Sequence, residues 1–251
     1  MSTAGIILCG GRSSRMGRPK AWLPFGPELM LQRMVRILSE VVSPIVVVAA
    51  PDQDVPPLPL TLALLPLRGE RAGVRGVGGS VLSASLTPSP PSPLPRSGGE
   101  GRLFIVRDER EGFGPLQGLA AGLQALQGRA EAAYLSSCDV PFLQPAFVRR
   151  MIELRGEHAI CVPHVGGYHH PLAAVYRIDV LDTVNQLLGE NRLRPVFLFE
   201  SLPTRIVEAQ ELADVDSTFQ SLRNLNTPED YEAALREEEF TTKVTKDTKK
   251  N

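Results

Sequence analysis

Four cations, Arg12, Arg15, Arg18 and Lys20, lie within nine positions of one another, directly after the paired glycines Gly10 and Gly11. No acidic residue occurs between Met1 and Pro27. Paired glycines let backbone N–H groups approach a ligand closely and form an anion-binding nest. Arginine forks and a lysine point charge suit phosphate oxygens. The loop is therefore expected to bind phosphate rather than to be a basic surface turn. It is neither a Walker A loop, since Gly11 and Gly17 are wrongly spaced and Lys20 follows Pro19, nor a G-x-G-x-x-G fingerprint, which Gly10-Gly11 breaks. A second chemical string is Ser136-Ser137-Cys138-Asp139-Val140-Pro141. A carboxylate just past an apolar strand and before a proline is placed to hold Mg²⁺, which favours one or two carboxylates plus phosphate oxygens. A turn-forming Asp is the competing reading.

Those residues need elements to place them. Gly5–Cys9 reads as a short apolar strand running straight into the basic loop. A helix is expected from about Pro27 to Val42, with Met30, Met34, Ile37, Leu38 and Val41 on one face. Strands are expected at Ile45–Ala50, Leu103–Arg107, Ala132–Ser136, Ala159–Pro163, Leu172–Tyr176, Arg205–Glu208 and Leu222–Leu225. Helices are expected at Leu116–Leu126, Pro145–Leu154, Asp179–Leu188 and from Thr227, which opens the capping-box-like string Thr227-Pro228-Glu229-Asp230. Continuous apolar strands alternating with amphipathic helices predict an α/β fold, a three-layer αβα sandwich with a mostly parallel, Rossmann-like sheet. Such sheets bind ligands beyond the carboxyl ends of their strands, where both chemical strings fall.

Composition sets the limits. The chain has 251 residues and 22 prolines, a high proportion, and 10 of them lie in 51–102. Residues 68–102 add 8 of the 22 glycines and six serines, with no aromatic residue, Lys or Asp. We therefore expect one domain over 1–236, interrupted at about 67–102 by a low-complexity loop insertion, and a disordered charged tail over 237–251. The formal net charge of −1, from 27 basic and 28 acidic residues, creates no global field for nucleic acid or anionic lipid. No apolar run reaches the roughly 20 residues that span a bilayer, and the glycines cut short the only N-terminal apolar stretch. With Cys9, Cys138 and Cys161 too scattered for a disulfide framework or a zinc site, a reduced, cytoplasmic protein is expected. The histidines of Gly166-Gly167-Tyr168-His169-His170-Pro171 point opposite ways in an extended segment, which argues against zinc. Trp22 and Phe25 read as packing residues.

The string L-x-G-G-x-S-x-R-M-G-x-x-K, Leu8 to Lys20, resembles the signature of the nucleotide-diphospho-sugar transferase-like superfamily. Within it, the chain is similar to molybdenum cofactor guanylyltransferases, the MobA family. The resemblance covers Gly5–Ala49 and Leu103–Asp230. It implies a catalytic set of Lys20, Arg15 and Asp139, and a nucleotide-binding set of Leu8, Cys9, Gly10, Gly11, Lys20, Asp108 and Asp139, with Asp139 on the metal. Asp108 resembles the start of the family's D…G-P-L-x-G segment, which includes Gly114 and Pro115 at a helix N-terminus. Asn224 and Asn226 match N-[IL]-N-T-P-E-[DE], and alternate residues of a strand would share a face. His170 and Tyr168 fall near the family's acceptor region. Where the family often has an Asn after the second strand, this chain reads Ala50-Pro51-Asp52.

The activity so implied is transfer of GMP from GTP to the terminal phosphate of a molybdopterin cofactor, with Mg²⁺ as cofactor and pyrophosphate released. Transient contact with molybdoenzymes or their chaperones would follow. No dedicated base is needed, because a phosphate monoester with a second pKa near 6 is largely dianionic at neutral pH. Alignment and charge neutralisation then carry catalysis. A related enzyme using CTP or another acceptor, and a non-catalytic nucleotide sensor on the same fold, are the alternatives.

Overall fold

The computed structural model describes residues 2–10, 18–58, 103–108 and 112–248. In chain order the elements are β1 (Thr3–Leu8), β2 (Pro24–Phe25), β3 (Glu28–Leu29), α1 (Met30–Ser39), β4 (Ile45–Ala49), β5 (Leu103–Arg107), α2 (Gly114–Leu126), β6 (Ala132–Ser137), α3 (Pro145–Arg155), β7 (Ile160–Val165), β8 (Tyr168–His169), β9 (Ala173–Arg177), α4 (Leu181–Gly189), α5 (Val196–Ser201), β10 (Thr204–Glu208) and α6 (Pro228–Thr248). The main sheet has the order β10-β7-β9-β6-β1-β4-β5, with β8 added to β7. Its β4–β1–β6 and β4–β5 pairs are parallel, as is β7–β10, whereas β9 runs against both its neighbours. The expected αβα sandwich with a mostly parallel sheet is therefore present.

The strands read as continuous apolar runs because both faces are covered. Ile7, Ile45, Val47 and Val175 turn to one side, against Met34, Val35 and Leu38 of α1 and Phe147, Val148 and Met151 of α3. Ile6, Leu8, Val46 and Val48 turn to the other, against Leu116, Leu119 and Leu123 of α2 and Val184 and Leu187 of α4. Helix α2 crosses β1 so closely that a Cβ on Gly122 would stand 2.7 Å from the buried Ile6 side chain. A larger residue there would force Ile6 or α2 to shift.

Three sequence expectations change. Helix α1 begins at Met30 rather than Pro27, because Pro24–Leu29 forms a small hairpin about Gly26, which has a φ of 61°. Leu222–Leu225 is no strand, since its Leu222 and Arg223 N–H groups donate to the C=O groups of Phe219 and Gln220. It forms the end of a 3-10 turn, Gln220–Leu222, and an extended run held to Asp139 through one backbone bond, Leu225 N–H to Asp139 C=O at 3.0 Å. The expected disordered tail over 237–251 is helical through Thr248. No glycine or proline follows Pro228 to stop that helix. The first charged residues of the expected tail are anchored, Glu237 to Arg223 at 2.6 Å and Glu238 to Arg33 at 2.9 Å. The expected insertion at 67–102 lies outside the described residues. Among the described residues, no helix is long and apolar enough to cross a membrane.

Candidate active site

Strands β1 and β6 lie side by side and in register, Leu8 opposite Ser137, so their carboxyl ends open at one point. Chain continuity then puts Cys9 and Gly10 beside Cys138 and Asp139. The Cys138 N–H donates to Leu8 C=O at 3.0 Å, and Cys9 N–H donates to Val48 C=O at 2.8 Å, which fixes both exits. Gly10 runs so near β4's exit that a Cβ on it would sit 3.4 Å from Ala50 N. The neighbouring Cys138 thiol and burial push the Cys9 pKa well up, so the thiol stays protonated. Cys161, buried elsewhere, is pushed up to about 12 by burial.

Lys20 is delivered by a single 3-10 turn, Lys20–Trp22, anchored by the fully buried Ala21. Its ammonium donates to Asp139 Oδ2 at 2.6 Å and to Asn226 Oδ1 at 3.1 Å. The other carboxylate oxygen of Asp139 accepts from Ser137 Oγ and from Asn224 Nδ2, the latter at 3.0 Å. Asp139 is 6% exposed, and a carboxylate buried that deeply stays charged only with such partners. Asn226 is held by the cap of α6. Asp230 Oδ2 accepts from the N–H groups of Asn226 and Thr227, while Thr227 Oγ1 accepts from Asp230 N–H. These N–H donors hold the Asp230 carboxyl below its usual range. Five side chains from three separate segments (Lys20, Ser137, Asp139, Asn224 and Asn226) thus form one knot at the end of β1 and β6.

The remaining expected residues spread along the same edge. Asp108 follows β5 and donates its N–H to Ala49 C=O at 2.8 Å. Gly114 and Pro115 open α2, whose N-terminus has no side-chain cap among the described residues and carries the positive end of the helix dipole. Leu8 is buried in the core, so its contribution to the site is through its backbone. His170 is not joined to the knot. Its Nε2 lies 3.2 Å from Val165 C=O in the β7–β8 hairpin, and burial lowers its pKa. Arg15 and Gly11 lie outside the described residues.

Two groups escaped the sequence reading. Ser137 is a plain strand residue until Asp139 turns back to it. Gln53 bridges two strand exits, donating through Nε2 to Cys9 C=O at 3.0 Å and accepting at Oε1 from Ala50 N–H at 3.3 Å. The Arg107 guanidinium closes the same loop on the C=O groups of Ala50 and Gln53. An isolated amide in a proline-rich stretch gives no pattern to find. Trp22, expected to pack, is 36% exposed and donates its indole N–H to Asp54 C=O at 2.9 Å, while Phe25 does pack, edge-on to Phe142.

Comparison with known proteins supplies the class, a nucleotidyltransferase. The model of the MobA-like NTP transferase domain matches residues 5–205, and the chain belongs to that family. A protein of Mycobacterium tuberculosis named "Probable molybdenum cofactor guanylyltransferase" is 30% identical over 224 residues, 85% of this chain and 89% of its own length. The fold is shared with molybdopterin-guanine dinucleotide biosynthesis protein A of Archaeoglobus fulgidus, with a TM-score of 0.64 and 19% identity over 97% of this chain and all of that one. It is shared also with another M. tuberculosis protein, solved in complex with manganese, with a TM-score of 0.53 and 16% identity over 94% of this chain and 99% of that one.

Proposed function

We propose that this enzyme transfers the guanylyl group of GTP to the terminal phosphate of a molybdopterin-type acceptor. The acceptor oxygen forms a bond to the α-phosphorus, the α–β bridging bond breaks, and pyrophosphate leaves. The observation that carries the reading is the Lys20–Asp139–Asn226 contact, which joins a cation, a buried carboxylate and an amide at the carboxyl ends of two central strands. The curated relatives' name supplies guanine and the acceptor.

The donor set fits a hard divalent cation. One carboxylate with neighbouring amide and hydroxyl oxygens leaves the rest of the coordination to phosphate, the pattern Mg²⁺ favours. Asp139 would hold the ion, with Asn224 and Ser137 orienting the carboxylate. Bound there, the ion would offset charge developing on the phosphates. Lys20 would exchange Asp139 for the nucleotide's phosphates, leaving the carboxylate to the ion. Arg15, Gly10 and Gly11 are assigned to the triphosphate, and Asp108 to the base or ribose. The acceptor takes the other half of the edge, beside Tyr168 and His170. No side chain need act as a base, because the acceptor phosphate is already ionised.

Purified protein is given each nucleoside triphosphate, Mg²⁺ and molybdopterin, and pyrophosphate release is measured. GTP-selective turnover is expected. CTP-selective turnover would replace guanine with cytosine in the reading, and binding without turnover would make the protein a sensor.

A further inference from the structure

Asp216 is a carboxylate 2% exposed that belongs to none of the site's motifs. Its Oδ1 accepts the N–H of Gln220 at 3.0 Å and its Oδ2 that of Ser221 at 2.8 Å. These bonds close a turn in which Phe219 is left-handed, with a φ of 52°. The Ser221 side chain, also buried, accepts the N–H of Gln144 at 3.0 Å. Gln144 ends the short loop that starts at Asp139 and precedes α3. Three residues beyond Leu222, Leu225 N–H donates to Asp139 C=O at 3.0 Å. The segment 216–226 is therefore stapled to the loop 139–144 at two points. Asn224, whose amide meets the Asp139 carboxylate, is suspended between the staples.

We propose that Asp216 is a positioning residue: by closing the turn 216–221 it sets the reach of Asn224 and Asn226 to Asp139 and Lys20. A turn closed on a carboxylate cannot slide, so the extended run that follows leaves it at one height and one angle. The two amides then arrive on the carboxylate and the ammonium together. The inference rests on reading the Lys20–Asp139 knot as the nucleotide-phosphate and metal site.

The test uses the full chain in four forms: wild type, Asp216→Asn, the Asn224→Ala/Asn226→Ala pair, and the three changes combined. Binding of Mn²⁺–GTP without acceptor is followed by calorimetry and by the Mn²⁺ paramagnetic resonance signal, alongside thermal unfolding. Asp216→Asn keeps the shape but offers an amide where one N–H needs an acceptor. It is expected to weaken Mn²⁺–GTP binding about tenfold in the wild-type background and to add nothing once both asparagines are gone. A purely structural residue would lower the unfolding temperature equally in both backgrounds and leave binding untouched, or weaken binding equally in both; either result overturns the proposal. If Asp216→Asn does not fold, Ser221→Ala, which cuts only the tie to Gln144, is scored the same way in the same two backgrounds. Wild-type protein that binds Mn²⁺–CTP but not Mn²⁺–GTP would overturn the guanylyl reading alone, and the coupling is then scored on CTP. Binding of neither would overturn both.

Discussion

The carboxyl edge of the sheet has two halves built on opposite principles. At β1 and β6, buried or half-buried charges are locked together, Lys20 to Asp139 at 2.6 Å with their side chains 19% and 9% exposed. At β7, β8 and β9 the groups are aromatic and open. Tyr168 is 75% exposed at a hairpin whose turn is made by Gly166 and Gly167, both with positive φ. The His164 and His169 rings lie 5.0 Å apart, His169 lies 5.5 Å from Phe199, and His164 Nδ1 meets Glu208 at 3.1 Å. Fixed dipoles and charges stabilise a developing charge only when they need not reorganise, which suits phosphates and a metal. Flat rings with accessible faces suit a flat heteroaromatic acceptor. The proposed division of the edge between the two substrates rests on that difference.

The sharpest way to break that division is at Asp139. Asp139→Ala should lower transfer by at least about a hundredfold while GTP binding weakens less, measured by pyrophosphate release and calorimetry. Full activity would remove the metal role. The same change strands the Ser137 and Asn224 donors, so unfolding should fall by about 1–3 kcal/mol. Asp139→Asn should restore most of that stability and none of the activity.

Second in size is Lys20→Met. A charge-assisted contact to phosphate is worth about 1.5–3 kcal/mol, so kcat/KM for GTP should fall about tenfold to a hundredfold, with KM and kcat both affected. The acceptor's KM should not move. Unchanged GTP kinetics would take Lys20 out of the site, and a change confined to the acceptor would reverse the assignment of the halves.

Lys20 and Asp139 were legible one at a time, because each follows an apolar strand and stands out in residue type. Their contact was not, since 119 residues separate them and no spacing rule reaches that far. The parallel core was legible because strands covered on both faces carry nearly unbroken apolar runs. The reversed direction of β9 was not, as a strand's residues do not encode the way it runs. Leu222–Leu225 is bounded by leucines like a short strand, but its Leu222 and Arg223 N–H groups are spent on the C=O groups of Phe219 and Gln220 in a turn that no spacing announces. The end of α6 looked like a solvated charge block because the partners of Glu237 and Glu238, Arg223 and Arg33, lie 14 and 205 residues away. Asp216 carries no motif at all. Its role exists only in the turn it closes.

On the open half, effects should be smaller and fall on the other substrate. Tyr168→Ala and His169→Ala should each raise the acceptor's KM about two- to tenfold, the worth of one aromatic contact, and leave the KM for GTP unchanged. Both changes sit on an exposed hairpin, so unfolding temperature should scarcely respond. A rise in the KM for GTP instead would mean that the nucleotide, not the acceptor, extends over β7–β9.

The smallest effect is a slope rather than a loss. Burial lowers the pKa of His170, the bond to Val165 C=O opposes this, and the neighbouring His164 and His169 lower it further. The unfolded chain, with an ordinary histidine near 6.5, binds the proton more readily than the folded one. Stability from this group is therefore complete above about pH 6.5 and is lost as pH falls through and below that value. His170→Asn should flatten the decline of unfolding temperature between about pH 7 and 5 while changing little at pH 8. Equal slopes in wild type and His170→Asn would show that the imidazole is as solvated as in the unfolded chain.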